Sequence, residues 1–188
     1  MSKTRLFLVR HAVAAPHPDI AEPDWPLTDA GHGQARDLVM SLGKEPVAAI
    51  WSSPYQRSMN TVAPLSDHLS CDIQTHEGLR ERRWSDAWLE DFLPHLERSF
   101  SEPDFKLPGG ESAREALYRF EAAMIEIAVA ADGVPTVVGT HGNVLSLFHR
   151  SLDARVDYAF WKNLPHASVF RVDWGGRFRW RGEVPRRF

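Results

Sequence analysis

The sequence predicts an α/β fold: a three-layer α/β/α sandwich built on a largely parallel central sheet. Three observations carry this. Short apolar runs at residues 6–9, 47–51 and 136–140 are bounded by charged or turn residues, the mark of strands buried on both faces. Segments with helical spacing of apolar residues lie between them, so strand and helix alternate. Arg10-His11 and His141-Gly142 directly follow two of the runs, and the carboxyl edge of such a sheet is where ligands bind.

The first strand spans 6–9 and delivers Arg10 and His11 to that edge. Residues 12–26 hold Pro16, Pro18, Pro23 and Pro26 and are expected to be loop. Thr28 begins a helix as its cap, with Asp29 suited to the positive end of the dipole. Ala35, Leu38, Val39 and Leu42 form its buried face, and Gly43 stops it. The run 47–51 is a second strand, after which Ser53 reads as an N-cap and Pro54 as the first helical residue. Arg57 then falls in the first turn, and Pro64 predicts a kink. Residues 71–75 form a third strand and 78–81 the loop after it.

From 82 to 110 the character shifts. Trp84, Trp88, Leu89, Phe92, Leu93, Leu96 and Phe100 pattern as an amphipathic helix interrupted near Pro94, followed by loop to Gly110. This stretch reads as an insertion over the active edge within one domain of residues 1–188. Ser112 to Glu115 is a capping box. It opens the longest helix, with Leu117, Phe120, Met124, Ile127 and Ala131 on one stripe, ending near Asp132-Gly133. The strand 136–140 delivers His141 and Gly142, and 143–152 resumes helical spacing. Alternation on either side of Gly175-Gly176 predicts a hairpin.

Composition sets the bounds. A hydrophobic fraction of 43% and a charged fraction of 25% are those of an ordinary globular protein. A net charge of −3 argues against a nucleic-acid partner. The single cysteine, Cys71, excludes an intramolecular disulfide and a multi-cysteine metal site. Neither a signal peptide nor a membrane span is readable, so a cytoplasmic protein without a membrane partner is expected.

Arg10, His11, Arg57, His141 and Gly142 all lie at strand-to-loop junctions of one edge, and Glu81 follows a fourth element. Guanidinium forks match phosphate oxygens, and a neutral imidazole is a good nucleophile toward phosphorus. Glu81 is the candidate acid for the leaving group, with Glu77 and Asp86 as competitors. No carboxylate cluster suggests magnesium, and zinc on His11, His17 and His141 conflicts with two adjacent arginines, so neither metal nor cofactor is expected. His17 reads as a loop residue more than as a phosphate ligand. Trp84, Trp88 and Phe92 read as packing for the insertion more than as pocket lining. Arg80, Arg82 and Arg83 read as solvated, as do Arg177, Arg179, Arg181, Arg186 and Arg187.

These motifs resemble those of the histidine phosphatase, or phosphoglycerate mutase-like, superfamily. The Arg-His-Gly signature is similar to Leu8-Val9-Arg10-His11-Ala12, and Leu-Thr-x-x-Gly-x-x-Gln-Ala to Leu27 through Ala35. Ser-Ser-Pro-x-x-Arg is similar to Ser52 through Arg57, and Leu-x-Glu to Leu79-Arg80-Glu81. Gly110-Glu111-Ser112 and Thr140-His141-Gly142 complete the ordered set. The resemblance implies a phosphoglycerate mutase-like fold and a metal-independent phosphoric monoester hydrolase acting on a small phosphorylated substrate. His11 would attack phosphorus, while Arg10, Arg57 and His141 hold its equatorial oxygens and Gly142 N–H adds a donor. Glu81 would serve as acid and then base. Ala12, Val13 and His17 depart from the family's glycine, acidic residue and asparagine, which favours a plain phosphatase over a mutase. A phosphohistidine protein phosphatase and a non-catalytic phosphate-binding module are the alternatives.

Overall fold

The computed structural model describes residues 3–185. The elements in chain order are β1 (Thr4–Arg10), α1 (Asp29–Leu42), β2 (Ala49–Ser52), α2 (Gln56–Leu69), β3 (Ile73–Thr75) and α3 (Leu93–Ser101). They continue with α4 (Ala113–Ala131), β4 (Thr136–Thr140), α5 (Gly142–Leu152), α6 (Tyr158–Asn163), β5 (Val169–Trp174) and β6 (Phe178–Glu183). The strands form one sheet in the order β3-β2-β4-β1-β5-β6. The first four are mutually parallel, and β5 and β6 add an antiparallel hairpin at the β1 side.

Strand pleating separates two cores. Leu6 and Leu8 of β1 pack with Val138, with Phe120, Met124 and Ile127 of α4, and with Leu145 and Phe148 of α5. Phe7 and Val9 face the other way, against Leu38 and Leu42 of α1 and Val62 and Leu65 of α2. Helices therefore cover both faces, which is the expected three-layer sandwich. Among the described residues no helix is long and apolar enough to cross a membrane.

The expected caps hold at two helices. Thr28 Oγ1 accepts from Gly31 N at the start of α1, and Ser112 and Glu115 form the reciprocal box of α4. Elsewhere the boundaries move. Helix α2 begins at Gln56 behind Tyr55, so Ser53 and Pro54 lie before the helix and not at its cap. Its Pro64 is inside the helix. β3 is shorter than expected, starting at Ile73. The loop 12–26 contains one 3-10 turn, Glu22–Asp24.

The largest correction lies at residues 84–92, which are irregular and not helical. Pro94 opens α3 as a first-turn proline instead of interrupting a longer helix. Arg82 is also corrected: it is fully buried. Its Nε donates to Glu111 O at 2.9 Å, one terminal nitrogen donates to Phe105 O at 3.0 Å, and its guanidinium lies 4.0 Å from the Trp84 ring. Burial pulls its pKa down to about 10. Arg177 and Arg179 are exposed, Arg181 pairs with Asp173, and Arg186 and Arg187 lie outside the described residues.

Candidate active site

β1 and β4 are neighbours, yet α1 and α5 that follow them lie on opposite faces of the sheet. Their carboxyl ends open a crevice at this switch in connection, where open α/β sheets bind ligands. Arg10 ends β1, and His11 follows it with its N–H on Thr140 O at 2.9 Å. His141 follows β4, and the His11 and His141 rings stand with centroids 5.2 Å apart.

His11 is half-buried, with Nδ1 2.7 Å from Ala12 O. A carbonyl oxygen only accepts, so Nδ1 carries the ring proton and Nε2 keeps its lone pair. Burial, with Arg57 nearby, holds its pKa well below the ordinary 6.5. Ala12 lies fully buried against Leu27, Ala35 and Ala167, so the methyl that departs from the family's glycine fills a small apolar cluster.

Arg10 Nη1 donates to Leu164 O, while its Nε is buried with no hydrogen-bond partner among the described residues. A Cβ at Gly142 would come within 3.0 Å of that Nε, so glycine is what lets the guanidinium lie against the start of α5. Arg57 is 3% exposed and lies between Trp25 and Tyr55, with ring centroids at 5.2 and 4.9 Å. Its two terminal nitrogens donate to Glu22 O at 2.7 Å and Glu22 Oε1 at 2.8 Å.

Glu81 sits at the N-terminus of α5. Oε1 accepts from Arg82 N at 2.9 Å and Val144 N at 3.1 Å, and Oε2 accepts from Asn143 N at 3.0 Å. Three of roughly four lone-pair sites are thus taken, leaving one on Oε2. The loop carrying Glu81 is clamped by Arg119 of α4, which donates to the carbonyls of Gly78, Arg80 and Glu81. Glu111 holds that clamp, accepting from Arg119 and Arg80. Burial pushes the Glu111 pKa up, but the hydrogen bonds from Arg119 and Arg80 outweigh it and hold the group at about 2.

His141 is fully buried behind His11 and Tyr55 and does not line the cleft. Its Nε2 is 2.8 Å from Ser53 Oγ, and its Nδ1 has no partner among the described residues. Burial, with Arg57, lowers its pKa well below 6.5. His17 is exposed, its Nδ1 accepts from Asp19 N, and it does not line the cleft. The structure therefore brings Arg10, His11, Arg57, Glu81, His141 and Gly142 together and leaves His17 outside.

The cleft above them encloses about 1010 Å³. Trp84, Trp88 and Phe92 pack as expected, against Arg82, Trp25 and Trp161 in turn, and they also line the cleft. Arg80 and Arg83 line it too, but in ion pairs with Glu111 and Asp86 instead of fully solvated. Among the described residues no group of three or more His, Cys, Asp or Glu could hold a metal ion.

The model of the histidine phosphatase superfamily (branch 1) matches residues 6–181, nearly the whole chain. The chain belongs to the histidine phosphatase superfamily. Among curated relatives, "Probable phosphoglycerate mutase GpmB" of Enterobacter sp. (strain 638) is 26% identical over 183 residues, covering 90% of this chain and 85% of that one. Among solved structures, a mycobacterial glucosyl-3-phosphoglycerate phosphatase superposes with a TM-score of 0.77 at 21% identity, covering 97% of this chain and 99% of that one. A phosphoglycerate mutase from Bacillus anthracis str. Sterne gives 0.78 at 16% identity, covering 96% and 92%. At such identities these structures show a shared fold.

Glu22 and His166 of this site are not singled out by the sequence. Glu22, the partner of Arg57, comes from the proline-rich loop and carries no local signal of its place. His166 stands with its ring 5.5 Å from His11 and its Nδ1 3.2 Å from His11 O. His166 is placed by a strand pairing that the sequence does not declare: β5 runs antiparallel to β1, with Val9 opposite Val169, so residues just before β5 lie beside the end of β1.

Proposed function

We propose that the chain is a phosphatase that hydrolyses a phosphomonoester through a phosphohistidine on His11. The observation that carries this reading is the contact of His11 Nδ1 with Ala12 O, which leaves Nε2 its lone pair, beside the partly buried Arg10 and the buried Arg57, at the switch point of the sheet. In the first step Nε2 attacks phosphorus, the P–O ester bond breaks, and Glu81 Oε2–H protonates the departing alkoxide. In the second, water attacks phosphorus, Glu81 takes its proton, the P–N bond breaks, and inorganic phosphate leaves. Arg10, Arg57 and Gly142 N–H neutralise the equatorial oxygens. His141 stands behind the ring of His11 with its Nε2 on Ser53 Oγ, and in this reading it backs the nucleophile from the buried side.

The test is rapid quenching with a slow substrate in the presence of EDTA. The expected result is an acid-labile, base-stable phosphoenzyme that is absent in His11→Ala. In Glu81→Gln, kcat falls by roughly 10²–10⁴. Undiminished turnover by His11→Ala would overturn the nucleophile assignment.

A further inference from the structure

Beyond the phosphate end, the cleft has a composition that bears on the alcohol part of the substrate. Trp25 comes from the proline-rich loop, Trp84, Trp88 and Phe92 from the irregular 84–92 stretch, and Trp161 from α6; all five line the cleft. Their rings form edge-to-face contacts. Trp25 and Trp88 are 6.0 Å apart at 74°, Trp84 and Phe92 6.3 Å at 61°, and Phe92 and Trp161 6.1 Å at 89°. Trp88 is nevertheless 46% exposed, so much of its surface is not spent on packing. The stretch is tethered instead by buried Arg82, through its hydrogen bonds to Glu111 O and Phe105 O. Aromatic surface held open in a cleft of about 1010 Å³ is the usual wall of a site for a ring-shaped ligand.

Charge narrows the class. The other arginines lining the cleft are Arg80, bound by Glu111 at 2.8 and 2.9 Å, and Arg83, bound by Asp86. Glu77 and Glu90 line the cleft as well. A second anionic group on the substrate would meet Arg80 and Arg83 already engaged in ion pairs, with the carboxylates of Glu77 and Glu90 beside them.

We infer that the substrate of this site, on the phosphatase reading above, is a phosphomonoester whose alcohol part carries a ring and no second negative charge. The ring lies against Trp88 and its aromatic neighbours while the phosphoryl group reaches His11. This separates the chain from relatives named for phosphoglycerate, whose carboxylate needs a cation of its own.

The experiment compares kcat/KM for 2-phenylethyl phosphate, glucose 6-phosphate, glycerol 3-phosphate and 3-phosphoglycerate. All four have alkyl leaving groups, so intrinsic reactivity varies little. At least one ring ester is expected to exceed glycerol 3-phosphate by roughly tenfold, a usual worth for one aromatic stack. The phenyl and sugar esters tell an aryl ring from a sugar ring. The carboxylate of 3-phosphoglycerate is expected to place it below glycerol 3-phosphate. In Trp88→Ala, the ratio of the preferred ring ester to glycerol 3-phosphate collapses toward one. Equal turnover of all four, or a preference for 3-phosphoglycerate, overturns this inference and leaves the phosphatase reading standing. No turnover of any ester, with no phosphoenzyme, overturns both.

Discussion

Arg57 is held by an internal anion. Glu22 accepts from both terminal nitrogens, on its carbonyl and its carboxylate, and the pair lies in the wall of the cleft. Burial pushes the Glu22 pKa up, with Arg57 opposing. A phosphate dianion and this carboxylate therefore compete for one guanidinium. Glu22→Gln keeps the shape and removes the competing charge, so the inhibition constant for inorganic phosphate is expected to fall by about tenfold. Weaker phosphate binding would instead make Glu22 the residue that orders Arg57. The histidine beside them sets the pH profile. His11 is held well below 6.5, so its ring stays neutral as pH falls through the ordinary histidine range. The acid limb of kcat/KM is accordingly expected below pH 6.5; a limb at or above 6.5 would contradict a desolvated nucleophile.

At the scale of elements, α4 does two tasks. Its N-terminal box fixes where the helix begins, and Arg119 one face along clamps the loop that carries Glu81. Ser112→Ala removes the acceptor for Glu115 N, and loss of such a cap costs about 1 kcal/mol. The urea midpoint should drop with an unchanged slope; a changed slope would mean that the helix end unravels more widely. This capping box was legible because its signal lies within four neighbouring residues. The strand ends were legible for a similar reason: an apolar run stopped by Arg10-His11 or His141-Gly142 declares its own carboxyl edge. Residues 84–92 were not. Tryptophans spaced as on a helix look alike whether they face a core or a cleft, and only Pro94 marks where helical structure starts. Arg82 was equally opaque, since its partners are carbonyls of Phe105 and Glu111, more than 20 residues onward. Glu22 and Arg57 meet across 35 positions, a separation that no local pattern encodes.

The whole molecule concentrates neutral histidines. Burial lowers the pKa of His11, His141, His149 and His166, and His149 reaches about 4 while stacked 3.7 Å from the Trp180 ring. The sign of the consequence is fixed. Above about pH 6.5 both folded and unfolded chains hold these rings neutral, and stability is unaffected. Below it the unfolded chain takes up protons that the folded one refuses, so stability falls with pH. Each fully refused proton costs about 1 kcal/mol between pH 6.5 and 5.5. The pair His11 and His141 then costs about 2 kcal/mol, or a Tm fall of roughly 4–8 °C for a chain of this size. The carboxylate of Glu111, held at about 2, stays ionised through that window and adds nothing to the loss. Calorimetry from pH 7.5 to 5 is expected to show this decline. His149→Phe, which keeps an aromatic ring against Trp180 but cannot be protonated, should make the decline shallower. A Tm that holds steady down to pH 5 would mean that these rings protonate inside the fold, and the neutral nucleophile at His11 would lose its physical basis.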